Sequence, residues 1–206
     1  MPDDRFPSSS AASGLSPQQT RMLDYLRSRA VALGPSEVRA RIRAAAAELD
    51  AQLAAVDEAT ARAYPRGGDW SIAQVVDHLA QTQIRAADEL RHLLAGRRPP
   101  APPVYDALTS GAATWAPWAE LVEGLRSANA ELDAVLAGIG VPSPSAGAVR
   151  ARTILVANRP EPDGTVRAET FAAELDWKEY ALVQRLHLLD HRTQVRGLRA
   201  ALADHT

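Results

Sequence analysis

Trp70-Ser71-Ile72-Ala73-Gln74-Val75-Val76-Asp77-His78-Leu79 is the stretch whose reading decides the fold. Ser71 and Gln74 have the spacing of a capping box, in which each side chain satisfies a backbone N–H of the other residue. Trp70 before the cap and Val75 after it occupy the hydrophobic-staple positions. A helix therefore starts at Ser71. Ile72, Val75, Leu79, Ala86, Leu90 and Leu93 recur on one helical face to about Leu94, ahead of Gly96.

Outward from this helix the same signals recur. Ser16-Pro17 reads as an N-cap followed by proline at the first helical position, predicting a helix over 17–33 that stops at Gly34-Pro35. Ser36, with Glu37 behind it, caps a second helix running to about Ala63 and ended by Tyr64-Pro65. After Leu94 comes a connector stiffened by Pro99, Pro100, Pro102 and Pro103. A fourth helix is expected from Trp115 to Ala137, before Gly138. Residues 141–170 read as a long loop. Within it Thr153 to Ala157 and Val166 to Phe171 flank the turn signal Pro162-Asp163-Gly164 and could pair as a small hairpin. The last helix opens on Asp176 and Glu179 in a box-like arrangement, with Leu175 and Tyr180 at staple positions, and runs to about Ala203. The expected fold is all-α, an antiparallel bundle of long helices. Residues 1–15 read as a disordered tail and 16–206 as one domain.

Bulk composition narrows the function classes. With 206 residues and 46% hydrophobic content, one core of useful size is available. A formal net charge of −2 gives no pull toward nucleic acid or an anionic membrane surface. No apolar run approaches the ~20 residues of a membrane-spanning helix. The Ser/Ala/Pro-rich start lacks an apolar signal core, so a cytoplasmic location is expected. The chain has no cysteine, which excludes disulfides, thiolate-ligated metals and cysteine nucleophiles.

Histidine carries the chemistry. His187 and His191 are one helical turn apart, ~40° and ~6 Å from each other on one face. They lie away from the stripe of Lys178, Arg185, Arg192, Arg196 and Arg199, which reads as the solvent face. His78 stands at the edge of the apolar face of its own helix, above Thr82, Arg85 and Glu89. Two imidazoles against an apolar bundle face need polar partners, and one divalent ion would satisfy both. Periodicity alone leaves the alternative open: an interfacial His78 and a half-exposed pair. His92 on a polar flank and His205 near the C-terminus are weaker candidates. Asp77 and Asp190 neighbour histidines in sequence but need not share their face, and read as surface or supporting groups. Trp70, Trp115, Trp118 and Trp177 read as core and staple residues.

The segment from Trp70 to Ala80 resembles the W-S-x-x-[EQ]-x-x-x-H-[IL] segment of the DinB-like/YfiT-like four-helix-bundle superfamily. His187-Leu188-Leu189-Asp190-His191-Arg192-Thr193-Gln194-Val195 is similar to that family's H-x-x-[DH]-H-x-x-Q-[IL] ending. The resemblance implies an up-down-down-up bundle, often a homodimer. It also implies that His78, His187 and His191 hold one divalent metal with a coordination position left open. Gln194 matches a family position near the site. The N-terminal helix and the 141–170 stretch depart from the family pattern. Three neutral imidazoles suit zinc, nickel, iron or manganese more than magnesium or calcium. Family members with known chemistry include S-transferases and isomerases that use small thiols. The resemblance thus implies a metal-dependent thiol transferase, isomerase or hydrolase-like enzyme acting on a small molecule. The alternative is a non-catalytic, stress-related binding or dimerisation bundle.

Overall fold

A computed structural model of the chain describes residues 14–65, 70–138, 147–161 and 166–203. Most of the expected tail, the turn at 162–164 and His205 lie outside these residues. The described chain is mostly helical, with one two-stranded sheet: α1 (Pro17–Ala32), α2 (Pro35–Leu53), α3 (Glu58–Arg62), α4 (Ile72–Leu94), α5 (Trp118–Ala137), β1 (Ala151–Pro160), β2 (Val166–Leu175) and α6 (Trp177–Ala203).

The capping chemistry places the helix starts. At α4 the Ser71 hydroxyl accepts from Gln74 N, and Gln74 Oε1 accepts from Ser71 N at 2.8 Å. The same box closes at Ser16 and Gln19. At α6, Asp176 Oδ1 accepts from the N–H groups of Lys178 and Glu179, while Glu179 Oε2 accepts from Asp176 N. At α2 the cap is Gly34, two residues earlier than Ser36, because Pro35 takes the first helical position and Glu37 reaches back to Gly34 N at 2.8 Å.

Three further boundaries differ from the sequence reading. The expected 36–63 helix is broken after Leu53, and Asp57 starts the short α3 by accepting from Thr60 N at 2.7 Å. The fourth helix begins at Trp118 rather than Trp115, because Pro117 precedes it and a 3-10 turn occupies Ala112–Thr114. That shift leaves Trp115 73% exposed, whereas Trp118 and Trp177 are buried as expected. The hairpin is longer than read, with ten residues in each strand and Leu155 opposite Phe171.

Side-chain pairs between helices set their directions. Arg39 pairs with Asp133 and Arg126 with Asp50, so α2 and α5 run antiparallel. Lys178 reaches the carbonyls of Ala30 and Leu33, and Arg192 pairs with Glu48, so α2 and α6 run parallel. His78 meets His187 near the start of α4, while Glu89 near its end meets Tyr180 near the start of α6, so these two are antiparallel. In chain order α2, α4, α5 and α6 therefore point up, down, down and up. The stripe from Lys178 to Arg192 is not a plain solvent face: its cations reach across to α1 and α2.

Leu26, Leu49, Leu79, Leu90, Leu132, Leu182 and Leu188 are fully buried between these helices. Each contributes roughly 1.5–3 kcal/mol of transfer free energy. The hairpin is two-faced: Leu155, Ala157, Phe171 and Ala173 pack into the core, and the alternate residues of β1 face outward over a cavity. Ser71→Ala removes the cap of α4 and is expected to cost about 1 kcal/mol in urea unfolding. An unchanged urea midpoint would contradict the role given to the box.

Candidate metal centre

His78 lies in the second turn of α4 and faces His187 and His191 on α6. His78 Nε2 is 3.1 Å from His187 Nε2, and His191 Nε2 is 2.9 Å from the same atom. One nitrogen from each ring falls within a 4.8 Å set. The sequence put two of these on one helix by spacing; the crossing of α4 over α6 brings in the third.

The outer nitrogens fix what the inner ones can do. His78 Nδ1 donates to the Leu108 carbonyl at 2.9 Å, since a carbonyl can only accept. His191 Nδ1 donates to Gln194 Oε1 at 2.7 Å. Both rings are thereby held in the tautomer whose Nε2 carries a lone pair. The two lone pairs point at His187 Nε2, which has at most one proton to give. One cation resolves the conflict by accepting all three nitrogens. Metal–nitrogen bonds of ~2.0–2.1 Å separate tetrahedral ligands by roughly 3.3 Å, a few tenths of an ångström beyond the spacing here. His187 Nδ1 and Gln184 Oε1, one turn apart, are buried without hydrogen-bond partners.

Burial lowers the pKa of all three rings. It holds His78 below the usual range, against the raising effects of Leu108 and Asp77. Burial first, then the neighbouring His191 and His78, push His187 well below it. Burial brings His191 down to about 4, opposed by its bond to Gln194. The rings are therefore neutral at pH 7, the form that ligates metal.

Asp77 does more than the sequence reading gave it. Its carboxylate is buried and accepts from the backbone N–H groups of Ser110 and Gly111 at 3.1 and 3.0 Å, and from the Ser110 hydroxyl at 2.6 Å. This ties down the loop whose Leu108 carbonyl orients His78. The Trp70 ring stands 5.2 Å from the His78 ring, edge to face.

A model of the DinB superfamily matches residues 37–172. The chain belongs to the DinB superfamily. The match includes His78 and ends before His187 and His191. Solved structures similar in fold include the mycothiol-dependent maleylpyruvate isomerase, at 16% identity and a TM-score of 0.54, and a histidine-to-alanine mutant of it, at 14% and 0.55. Each comparison covers 80% of this chain and 61% of the other, so this chain spans about three fifths of those proteins' length. No curated protein matches its sequence.

In this DinB chain the triad opens into a cavity of about 670 Å³. Polar residues line it on two facing helices: Thr82, Arg85 and Glu89 follow His78 down α4, while Gln184 and Tyr180 precede His187 on α6. Arg85 and Glu89 form an ion pair at 2.6 Å and also line the cavity. Tyr180 is bonded to Glu89, and burial raises its hydroxyl well above the usual range. Asp190 joins the cavity wall beside the triad. His92 is half-buried in the last turn of α4, apart from the triad. The outward face of β1, with Ile154, Val156 and Asn158, closes one side, and the 103–108 loop closes another. Sequence reasoning missed these walls because hairpin and loop reach the site by long-range packing.

Two outcomes follow. Asp77→Asn is expected to weaken metal affinity about 10–100-fold with helix content retained, as loss of a group supporting a ligand does; unaltered affinity would show that the loop does not position His78. The pH dependence follows from His191: its folded value is about 4 against an ordinary 6.5. The unfolded chain takes up that proton first, so stability is full above pH 6.5 and lost as pH falls toward 4. Metal-free protein should therefore melt at a lower temperature at pH 5 than at pH 7, and His191→Asn should shrink the difference.

Proposed function

We propose that this chain is a metal-dependent enzyme of small-thiol chemistry, with His78, His187 and His191 holding one zinc or nickel ion. The observation that carries this reading is the convergence of three neutral imidazole nitrogens, two of them set as lone-pair donors by Leu108 and Gln194. A bound ion of this kind supplies a Lewis acid that favours the thiolate form of a thiol at an open coordination position.

The chain's own residues set the rest. With no cysteine, it takes its sulfur nucleophile from a co-substrate. The cavity of about 670 Å³ has room for that thiol and a small electrophile, and the hairpin and the 103–108 loop form two of its walls. Asp190 and Gln194 line the wall beside the triad, where they can hold the polar part of either molecule. The fold it shares with a mycothiol-dependent isomerase supports thiol use. The reaction class is addition of the thiolate to an electrophilic carbon. In transfer the adduct takes a proton from water or expels its leaving group, and in isomerisation the C–S bond breaks again and releases the thiolate.

Purified protein should contain about one divalent metal per chain, and a His187→Ala, His191→Ala double variant should contain none. Conjugation of a small electrophile should proceed with at least one low-molecular-weight thiol and stop on chelation. Metal retained in the double variant would remove the site. Absence of chelator-sensitive turnover with any thiol tested would remove the enzyme reading.

A further inference from the structure

The cavity extends well beyond the triad. From His78 to Glu89 is eleven residues of α4, a run of ~16 Å along the helix axis. At the Glu89 end a second chamber of about 130 Å³ adjoins the first, and Glu89, Pro103 and Arg152 line both. The two ends differ in charge. Asp106 and Asp190 stand in the wall near the triad, whereas Arg98, Arg150 and Arg152 surround the far chamber.

The state of each far-end charge matters. Glu89 is held by Arg85 at 2.6 Å and by Tyr180. Arg150 is held by Glu179 at 2.9 Å and donates to the Glu174 carbonyl at 3.1 Å. Arg98 and Arg152 make no ion pair among the described residues. Glu174 lies opposite Arg152 in the strand register, yet it is exposed, does not line either chamber and forms no ion pair with it. Both arginines thus line the small chamber, are exposed, and make no hydrogen bond or ion pair among the described residues. Arg152 lies near the start of β1 and lines both the main cavity and the far chamber.

We infer that the far chamber is an anion subsite, in which Arg98 and Arg152 hold a carboxylate of an elongated substrate whose reactive end lies at the triad. The inference rests on the proposed function only for what happens at the triad. A guanidinium offers paired N–H donors that match a carboxylate, and both arginines keep solvent access, so each contributes modestly. The substrate class is a small molecule, thiol or electrophile, with a carboxylate many bonds from its reacting atom.

The probes that test it are ω-mercaptoundecanoate and ω-mercaptoundecanol, which differ only at the far end. Their dissociation constants are measured by calorimetry on the metal-loaded protein. The acid is expected to bind about tenfold tighter than the alcohol, with the preference shrinking as salt is raised. In Arg98→Ala, Arg152→Ala protein the preference should fall to near one while the alcohol binds as before. In His187→Ala, His191→Ala protein both probes should weaken together and the preference should persist, which separates failure of the triad from failure of the subsite. Equal binding of acid and alcohol to the unmodified protein, a preference that survives loss of both arginines, or no binding of either probe would overturn the inference.

Discussion

The antiparallel contact of α4 with α6 is the constraint on which the site depends. It sets His78 Nε2 3.1 Å from His187 Nε2, and nothing local to either helix could do so. Both helices contribute buried leucines, among them Leu79, Leu90, Leu182 and Leu188, to one common core. The polar groups that accompany them are costly to bury unless satisfied. Glu89 is met by Arg85 and Tyr180, and His191 by Gln194. Among the described residues, His187 Nδ1 and Gln184 Oε1 at the triad are buried without hydrogen-bond partners, as are Gln83 on α4 and the side-chain oxygens of Asn129 and Thr153 elsewhere.

Orientation of the triad is then delegated outward. Asp77 captures the loop at Ser110 and Gly111, and the loop presents the Leu108 carbonyl to His78. On α6 the corresponding job falls to Gln194, three residues beyond His191. One ring is steered by a long-range tether and the other by its own helix. The sequence offered Gln194 only as a match to a family position near the site, and the tether through Leu108 not at all, because that loop reaches His78 by long-range packing.

Most of the helical frame was legible. Capping boxes at Ser16, Ser71 and Asp176 are short-range chemistry, and the helices begin where they predict. The family resemblance supplied the pairing of His78 with the other two, which spacing alone left open. Less was legible where competing local signals or long-range packing decide. Pro117 moved the start of α5 and left Trp115 exposed. Asp57 offered a new cap and split the second helix. The hairpin was visible as two apolar runs, but its role as a wall of the cavity needed the long-range packing that brings residues 152–156 to the helices. The cationic stripe on α6 read as solvent-facing because its partners, Tyr25, Ala30, Leu33 and Glu48, lie far away in sequence.

The central claim is that three imidazoles share one ion. X-ray absorption spectroscopy of the zinc-loaded protein measures this directly. The account predicts a zinc edge fitted by three imidazole nitrogens at ~2.0–2.1 Å plus one further light-atom ligand. A shell with fewer than three imidazoles, or one dominated by carboxylate and water oxygens, would contradict it.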